Sequence, residues 1–433
     1  MDLLNANDRQ GEYPNSYYAA SAKQLPPFES AQGSLECDIC VIGGGFTGLS
    51  SALNLARTGY DVVLLDAQRI GFGASGRNGG QVGTGQRQDQ DALEDMLGFE
   101  KAKALWDMSL NAVQYVKELC DDPLVACQFN HGIVHADHKK RFVPHSMDYA
   151  KKLNNDYGYA QIRSLNQEEV RDLVNSRAYY GGVLDMGGGH IHPLQFAIGL
   201  ARLAKAAGVR IFENSKVTEI DTTKPNLVKT EHANIKTDKV ILACNGYLGK
   251  LNRKVAAKVM PINNFIVATE PLDPQQRGNL IKNNYAVADS KFVVNYFRFS
   301  QDHRLLFGGS ESYGYRFPND IKASVRKPML KIYPQLKDIR LDYAWGGTLG
   351  ITMNRMPHFA DLGNNIISMS GYSGHGVAMA TYAGRILSET LSGDRRQFEL
   401  LRDIPTASFP GGIMLRSPLL VLAMLWYSLR DNI

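Results

Sequence analysis

Cysteine is scarce in this chain: five among 433 residues, an odd number that does not describe a disulfide framework and points to reduced thiols. Cys37 and Cys40 have the spacing of a redox pair or half a zinc site, yet no second pair stands at metal-ligand spacing. They also fall in the strand expected over Glu36 to Ile42, where residues three apart point to opposite faces, so core or loop cysteines are expected. An excess of one charge sign is missing too. Lys and Arg total 48 against 43 Asp and Glu, the formal charge is +5, and the basic residues are scattered, which excludes an electrostatic footprint for nucleic acid. Met1 to Gly11 carries Asp2, Asp8 and Arg9 with no apolar h-region, so a secretory signal is not expected and a cytoplasmic location is. Long hydrophobic runs are absent. The richest, Ser417 to Leu429, holds about a dozen apolar residues where a bilayer span needs roughly 20. It reads as a packed C-terminal helix or subunit contact, with peripheral membrane docking as the alternative. No internal repeat or low-complexity segment occurs.

Glycine, by contrast, is abundant. Its 41 residues, beside 44% hydrophobic and 21% charged residues, describe a folded protein whose loops approach a ligand closely. The length exceeds one ordinary core of roughly 100–200 residues, and two domains are expected. Residues 1–33, with Pro14, Pro26, Pro27 and Tyr17-Tyr18, read as an ordered arm or lid. From Cys37 the pattern is a βαβ unit: an apolar run to Ile42, a glycine turn, a helix with Leu49, Ala52, Leu53 and Ala56 on one face, a stop at Gly59, and a strand Val62 to Leu65. Residues 86–180 are polar, helical in pattern and without a motif. Pro193 starts a helix to about Ala207, followed by strands Val209 to Phe212 and Lys216 to Ile220, and Val240 to Ala243 reads as a buried strand. Asn264 to Gly309 alternates, with aromatic segments Phe292 to Phe299 and Arg304 to Phe307 that suit an antiparallel sheet. Asn365 to Ser370 reads as a last strand, before a glycine loop and a helix from about Val377 to Leu391.

Gly43-Gly44-Gly45-Phe46-Thr47-Gly48 matches GxGxxG in its required place, after a strand and at a helix start. Gly43 makes the tight turn, Gly45 admits a pyrophosphate to the backbone, and Gly48 lets the helix pack on the sheet. The free N–H groups of the first helical turn then face the phosphates. Asp66 closes the second strand where a ribose needs an acceptor. This fingerprint serves NAD and FAD alike. Three further glycine loops favour the longer cofactor: Gly71 to Gln81, Ala243-Cys244-Asn245-Gly246, and Gly371-Tyr372-Ser373-Gly374-His375-Gly376. An extended molecule threaded between distant segments accounts for all three.

At these residues the chain resembles the D-amino-acid oxidase family of FAD enzymes, and within it the γ-glutamylputrescine oxidoreductases. The resemblance runs through Tyr13-Pro14-Asn15-Ser16-Tyr17-Tyr18, the Gly73 to Gln81 loop, Trp345-Gly346-Gly347, Arg355-Met356-Pro357-His358-Phe359, Phe409-Pro410-Gly411-Gly412 and the apolar tail. It implies an α/β fold, a Rossmann-type FAD-binding domain with a second, antiparallel-sheet substrate domain. The expected division is an arm at 1–33, a discontinuous FAD domain at 34–85, 181–250 and 340–393, a substrate domain at 86–180 and 251–339, and a tail at 394–433. By resemblance Gly43, Gly45, Phe46, Thr47, Gly48, Asp66 and Ala67 hold the ADP half, with Val217 on the adenine and Cys244 and Gly246 alongside. Gly73, Ala74, Ser75, Arg77, Asn78, Gly79, Gly80 and Gln81, with Gly374, His375, Gly376 and Val377, flank the isoalloxazine. Some relatives link FAD to a cysteine near the Trp345 segment; none occurs here after Cys244, so non-covalent FAD is expected.

The implied reaction is oxidation of an amine, with a small-molecule amine as substrate and oxygen as electron acceptor. The helix at Gly376 would set its positive end against charge that develops on the flavin. Tyr296, Arg298, Trp345 and His375 are the expected catalytic-site residues, with Tyr17 and Tyr18 as further candidates for the substrate pocket. His375, between two glycines, reads as orienting its loop more than as a base. His190 and His192 read as residues of a helix entry and not as metal ligands, because no third ligand is spaced with them. Glycine-oxidase-like relatives carry an Arg in a Trp-x-Gly-x-Arg pattern that clamps an α-carboxylate; here the position is Leu349. An amine with no adjacent carboxylate, such as γ-glutamylputrescine, therefore fits better than a free amino acid. Arg355 or Arg298 would serve its distant carboxylate, or Arg355 would instead reach back and restore the clamp. A D-amino-acid, glycine or sarcosine-type oxidase, a quinone-linked amino-acid dehydrogenase and a non-catalytic FAD-binding protein are the rival readings.

Overall fold

The structure, a computed structural model, describes residues 2–222 and 224–410; the expected tail helix within Ser417 to Leu429 lies outside the described residues. Gly33–Ile42 is the central strand of an eight-stranded sheet. Val62–Leu65 and Ala233–Leu242 pair with it in parallel, one on each side. Arg210–Phe212 and Ile366–Ser370 extend the parallel run outward, and His358–Asp361 closes one edge antiparallel. Helix Phe46–Arg57 crosses between the first two strands and completes the βαβ unit. Helices Phe99–Cys120, Pro193–Ala206 and Gly376–Leu391 join it over one sheet face in a single apolar core. An antiparallel ribbon of Glu219–Asp221 and Asn226–Lys229 is added along Ala233–Leu242. The central strands are covered on both faces, which is why Val62–Leu65 is a continuous apolar run, all four residues buried.

The second sheet has nine strands and is mostly antiparallel. It runs Leu341–Ile351, Met260–Thr269, Leu305–Ser312, Tyr296–Phe299, Ala286–Asp289, Asn130–Ala136, Gly182–His190, Gln81–Val82, with Ile162–Leu165 beside Gly182–His190. Three of its strands correct the expected division: Gln81–Val82, Gly182–His190 and Leu341–Ile351 lie in ranges expected to belong to the cofactor domain. Gly182–His190 ends in Gly187-Gly188-Gly189 and Leu341–Ile351 contains Gly346-Gly347, so neither shows the apolar alternation that marks a strand. Residues 86–180 hold four α-helices, as their pattern indicates, but also the strands Asn130–Ala136 and Ile162–Leu165.

Alternation also fails at Asp38. Its amide and that of Ile39 both donate to the Asp61 carbonyl, at 3.0 and 3.1 Å, and Asp38 is skipped in the pairing with Ala233–Leu242. Cys37 and Cys40 consequently share one apolar cluster instead of opposite faces. Both are buried free thiols pushed up in pKa by that burial. Among the described residues no group of His, Cys, Asp and Glu is arranged to hold a metal, and no helix is long and apolar enough to cross a membrane.

The N-terminal arm is pinned to loops that follow strands of both sheets. The Asn7 amide nitrogen donates to the Tyr315 carbonyl at 2.8 Å, the Gly11 amide donates to Gln68 at 2.6 Å, and the Tyr13 hydroxyl donates to the Ile70 carbonyl at 2.8 Å. Helix Tyr17–Ser21, capped by Ser16, buries Tyr17 and Tyr18.

Helices Phe46–Arg57 and Gly376–Leu391 touch at backbone level. A Cβ on Gly384 would stand 2.3 Å from the Ser50 carbonyl carbon and the Ser51 nitrogen. Gly384→Ala forces the helices apart, and an expected loss of about 1–3 kcal/mol is read as a lowered denaturant midpoint of the cofactor-loaded protein. An unchanged midpoint would show that the pair slides without cost.

Candidate active site

The glycine turn after Gly33–Ile42 is built for close approach. Gly43 has φ of 111°, and a Cβ there would lie 2.7 Å from the Ala243 carbonyl oxygen of the neighbouring strand. Gly48 is packed against the turn itself, since its Cβ would overlap the Gly43 oxygen at 1.7 Å. Gly45 caps helix Phe46–Arg57 without a side-chain acceptor, and Ser75 Oγ accepts the Phe46 amide at 2.9 Å. The Thr47 and Gly48 amides have no acceptor within the helix and are left for a ligand. The side chains of Phe46 and Thr47 turn inward, onto Phe196 at 5.5 Å and the Tyr372 hydroxyl at 2.8 Å, so these residues offer only backbone to the groove.

Asp66 stands at the end of Val62–Leu65, partly open to the same groove. Its carboxylate accepts the Gly44 amide at 2.6 Å and the Gln68 amide at 2.7 Å, one on each oxygen, which leaves acceptor capacity on both. Burial raises its pKa to about 6 against the pull of those two amides. The Ser215 amide donates to the Asp66 carbonyl at 2.7 Å, which brings the segment of Val217 beside it. Cys244 sits at the opposite rim, its thiol 3.3 Å from the Ile42 carbonyl.

Ala74 to Gln81 forms the next wall. Asn78 folds the loop on itself, donating to Ala74 and Ser75 carbonyls and accepting the Gly80 amide at 2.7 Å. Gln81 donates to the Val287 carbonyl at 2.9 Å, and the Arg77 guanidinium turns away from the groove into the protein. The facing wall is the loop before helix Gly376–Leu391. Asn245, which the motif reading did not single out, holds that loop by accepting the Gly371 amide at 2.9 Å. His375 has no side-chain capping bond to offer the helix, so the helix start opens with its N–H groups unsatisfied. The His375 ring packs against Gly83, and its Nε2 donates to the Thr84 carbonyl at 3.2 Å. Burial, with Arg87 and His135 nearby, lowers its pKa to about 4, so the imidazole is neutral at pH 7.

Between these loops and the second sheet lies a cavity of about 520 Å³. Its sheet side presents Ile262 and Asn264, two apart on Met260–Thr269, with Leu349 and Gly347 opposite them in register and Glu311 paired with Asn264 on the other side. Tyr296 forms part of the wall; its hydroxyl donates to Asn264 and its ring lies where a Cβ on Gly79 would fall, 2.6 Å away. Of the four expected catalytic-site residues, Tyr296 and His375 line this cavity, whereas Arg298 and Trp345 do not. The Arg298 guanidinium is buried and donates to the Gly79, Phe299 and Ile191 carbonyls at 2.7, 3.1 and 2.8 Å and to the Tyr18 hydroxyl. Trp345 is buried against Tyr18, ring centroids 5.1 Å apart, and donates its indole N–H to the Arg77 carbonyl. Both are packing residues behind the wall, and Tyr17 and Tyr18 belong to the same buried cluster. His192 caps helix Pro193–Ala206, its Nδ1 accepting the Gln195 amide at 3.1 Å, and His190 donates to the Asn284 carbonyl at 2.8 Å. Arg87, Glu311 and Arg355 also line the cavity. Of these, only Arg355 was marked by the sequence; Arg87 and Glu311 carry no motif.

A family model described as FAD dependent oxidoreductase (DAO) matches residues 38–390. A probable oxidoreductase OrdL of Rhizobium meliloti is 42% identical over 96% of this chain and 97% of its own. The γ-glutamylputrescine oxidoreductase of Escherichia coli is 41% identical over 98% of this chain and 99% of its own. Among solved structures, glycine oxidase from Geobacillus kaustophilus superposes with a TM-score of 0.71 at 16% identity, over 86% of this chain and 99% of that one. L-proline dehydrogenase from P. horikoshii gives 0.68 at 21%, over 92% and 99%. The glycine turn, its free amides and Asp66 suit the ADP half of FAD. Asp66→Ala is accordingly expected to weaken FAD binding by roughly 1–3 kcal/mol, measured by titrating the apoprotein; unchanged affinity would mean that the carboxylate serves the loop alone. A family match across most of the chain, full-length relatives above 40% identity and this cofactor groove lead to one conclusion: the chain belongs to the DAO family of FAD-dependent oxidoreductases.

Proposed function

We propose that the chain oxidises the terminal primary amine of γ-glutamylputrescine to an aldehyde, releasing ammonia and passing the electrons to oxygen as hydrogen peroxide. The observation that carries this reading is Leu349. Where the resemblance calls for an arginine that would clamp an α-carboxylate, the cavity wall has an isobutyl group, with Ile262, Ile351, Val377 and Ala378 also lining the cavity. A carboxylate adjacent to the reacting carbon would lose its hydration here with no cation at position 349 to replace it. An alkyl amine would not. The name of the E. coli relative, 41% identical, supports the same substrate.

FAD, when bound, would supply the acceptor for a hydride from the carbon that bears the amine. The amine nitrogen gives up a proton, and water adds to the resulting substrate imine to release ammonia and the aldehyde. Two electrons and two protons then reduce oxygen to hydrogen peroxide. The chain's own contribution is positioning and field. The uncapped start of helix Gly376–Leu391 faces the cavity with its positive end, which favours negative charge there. Tyr296, its pKa pushed up by burial, stays a phenol and spends its proton on Asn264, so its ring acts as a wall that aims the alkyl chain. His375 is neutral and holds the two cofactor loops in register.

Two outcomes test the reading. The purified protein is expected to be yellow and to release its flavin on acid precipitation, because no cysteine occurs after Cys244 and Cys244 lies at the nucleotide end of the groove; flavin retained in the pellet would refute non-covalent binding. In steady-state kinetics with peroxide detection, γ-glutamylputrescine is expected to exceed putrescine, glycine, sarcosine and D-alanine in kcat/KM. A highest value for glycine, sarcosine or D-alanine would overturn the argument from Leu349. Turnover with a quinone or dye but no peroxide would assign a dehydrogenase instead.

A further inference from the structure

The chemistry at the amine leaves three charged cavity residues unused. Arg87 lies between strand Gln81–Val82 and helix Gln90–Leu97, Arg355 in the turn between Leu341–Ile351 and His358–Asp361, and Glu311 near the end of Leu305–Ser312. Chain segments far apart in sequence thus place two guanidiniums and a carboxylate around one cavity. Among the described residues neither guanidinium finds a hydrogen-bond acceptor or an ion-pair partner, although both feel Glu311 through space. Glu311 accepts one hydrogen bond, from the Tyr313 hydroxyl at 2.9 Å. This contrasts with Arg77 and Arg298, whose guanidiniums are occupied by backbone carbonyls. It also contrasts with Asp289 in the same cavity, whose carboxylate is taken by Asn295.

The backbone at Arg355 is itself unusual. Its φ is 63°, a left-handed conformation that glycine adopts freely and a long side chain does not. The turn is held there from several sides. The Arg355 amide donates to the Thr352 carbonyl at 3.2 Å, Thr352 Oγ1 donates to the Met356 carbonyl at 2.7 Å, and the Met356 amide donates to Asn354 at 3.1 Å. Gln88 donates to the Asn354 carbonyl at 3.0 Å, which ties the loop of Arg87 to the turn of Arg355. The Phe292 ring lies 6.0 Å from the Arg355 guanidinium carbon and helps to orient it. Strain of this kind persists where the surroundings over-determine it, and it concentrates at ligand clamps.

A group that satisfies two free guanidinium forks and a carboxylate together carries an anion and an ammonium side by side. We propose that Arg87 and Arg355 bind the α-carboxylate, and Glu311 the α-ammonium, of an amino-acid head at the far end of the amine substrate. The inference rests on the reading of the site as one for an acylated amine and deepens it: the apolar wall at Leu349 accepts the alkyl amine, and the charged cluster selects what that amine is attached to. A bare diamine brings a second cation toward two arginines and is disfavoured for that reason.

Three substrates separate the parts of the head: γ-glutamylputrescine has both groups, N-glutarylputrescine lacks the α-ammonium, and N-butyrylputrescine lacks both. For each enzyme the KM of N-butyrylputrescine is divided by that of the charged substrate. Arg87→Met and Arg355→Met are expected to lower this preference about 10- to 100-fold for both charged substrates. Glu311→Gln is expected to lower it for γ-glutamylputrescine and not for N-glutarylputrescine. Arg355→Gly relieves the backbone strain, so this variant is expected to keep its FAD and melt no lower than the parent while losing the same preference. If the preference survives in all variants, or if kcat falls in step for all three substrates, the cluster is not the receptor. If the parent enzyme oxidises none of the three but turns over glycine or sarcosine, the proposed function itself fails, independently of the variants.

Discussion

The buried guanidinium of Arg77 is the point at which the two halves of the molecule are joined. It donates to the Phe72 carbonyl at 2.6 Å within the glycine loop beside the first sheet, and to the Gly346 carbonyl at 3.1 Å in a strand of the second. Its partner in charge is Asp8 of the N-terminal arm, at 2.9 Å, and its own carbonyl accepts the Trp345 indole. A charge this deep is tolerable only if paired and hydrogen-bonded, so the loop, the strand and the arm must be in place together. The cavity between the sheets owes its shape to that requirement, because Ala74 to Gln81 and Leu341–Ile351 supply facing walls.

What each arginine does follows from what its guanidinium finds. Arg77 and Arg298 are engaged by protein oxygens and act as struts: Arg77 reaches the Phe72 and Gly346 carbonyls and Asp8, and Arg298 the Gly79 and Ile191 carbonyls and the Tyr18 hydroxyl. Arg87 and Arg355 line open space and are electrostatically coupled to Glu311 without touching it. Charge in the first pair contributes to architecture, and in the second it is available to a ligand. The same division separates the tyrosines: Tyr17 and Tyr18 belong to a buried cluster outside this cavity, while Tyr296 faces it.

The cavity wall is therefore mixed in polarity. It offers an uncapped helix start and an aliphatic surface around Leu349, and it also offers two cations and an anion. The proposed oxidation of an amine would use both. A neutral amine nitrogen is required for hydride loss, and an apolar surround disfavours its protonated form. Polar recognition placed away from the reacting carbon adds selectivity without restoring water to it.

The cofactor half was legible in the chain because its requirements are local. The Gly43 to Gly48 turn, the helix that follows and Asp66 lie within one βαβ unit, and steric demands on glycine can be read from spacing alone: the structure finds Phe46–Arg57 and Val62–Leu65 where periodicity sets them. The absence of a clamp arginine at Leu349 was legible only through the family resemblance. Glycine-rich strands such as Gly182–His190 were not, since they carry no alternation, and strict alternation misplaced Cys37 relative to Cys40 because the pairing skips Asp38. Nor could the chain alone tell an arginine bound by carbonyls from one that lines open space. Arg298 and Arg355 look equally suitable in sequence, and Arg87 and Glu311 bear no motif. Only the tertiary structure decides whether a carbonyl or an open cavity lies within reach of each side chain, because that depends on segments more than a hundred residues away.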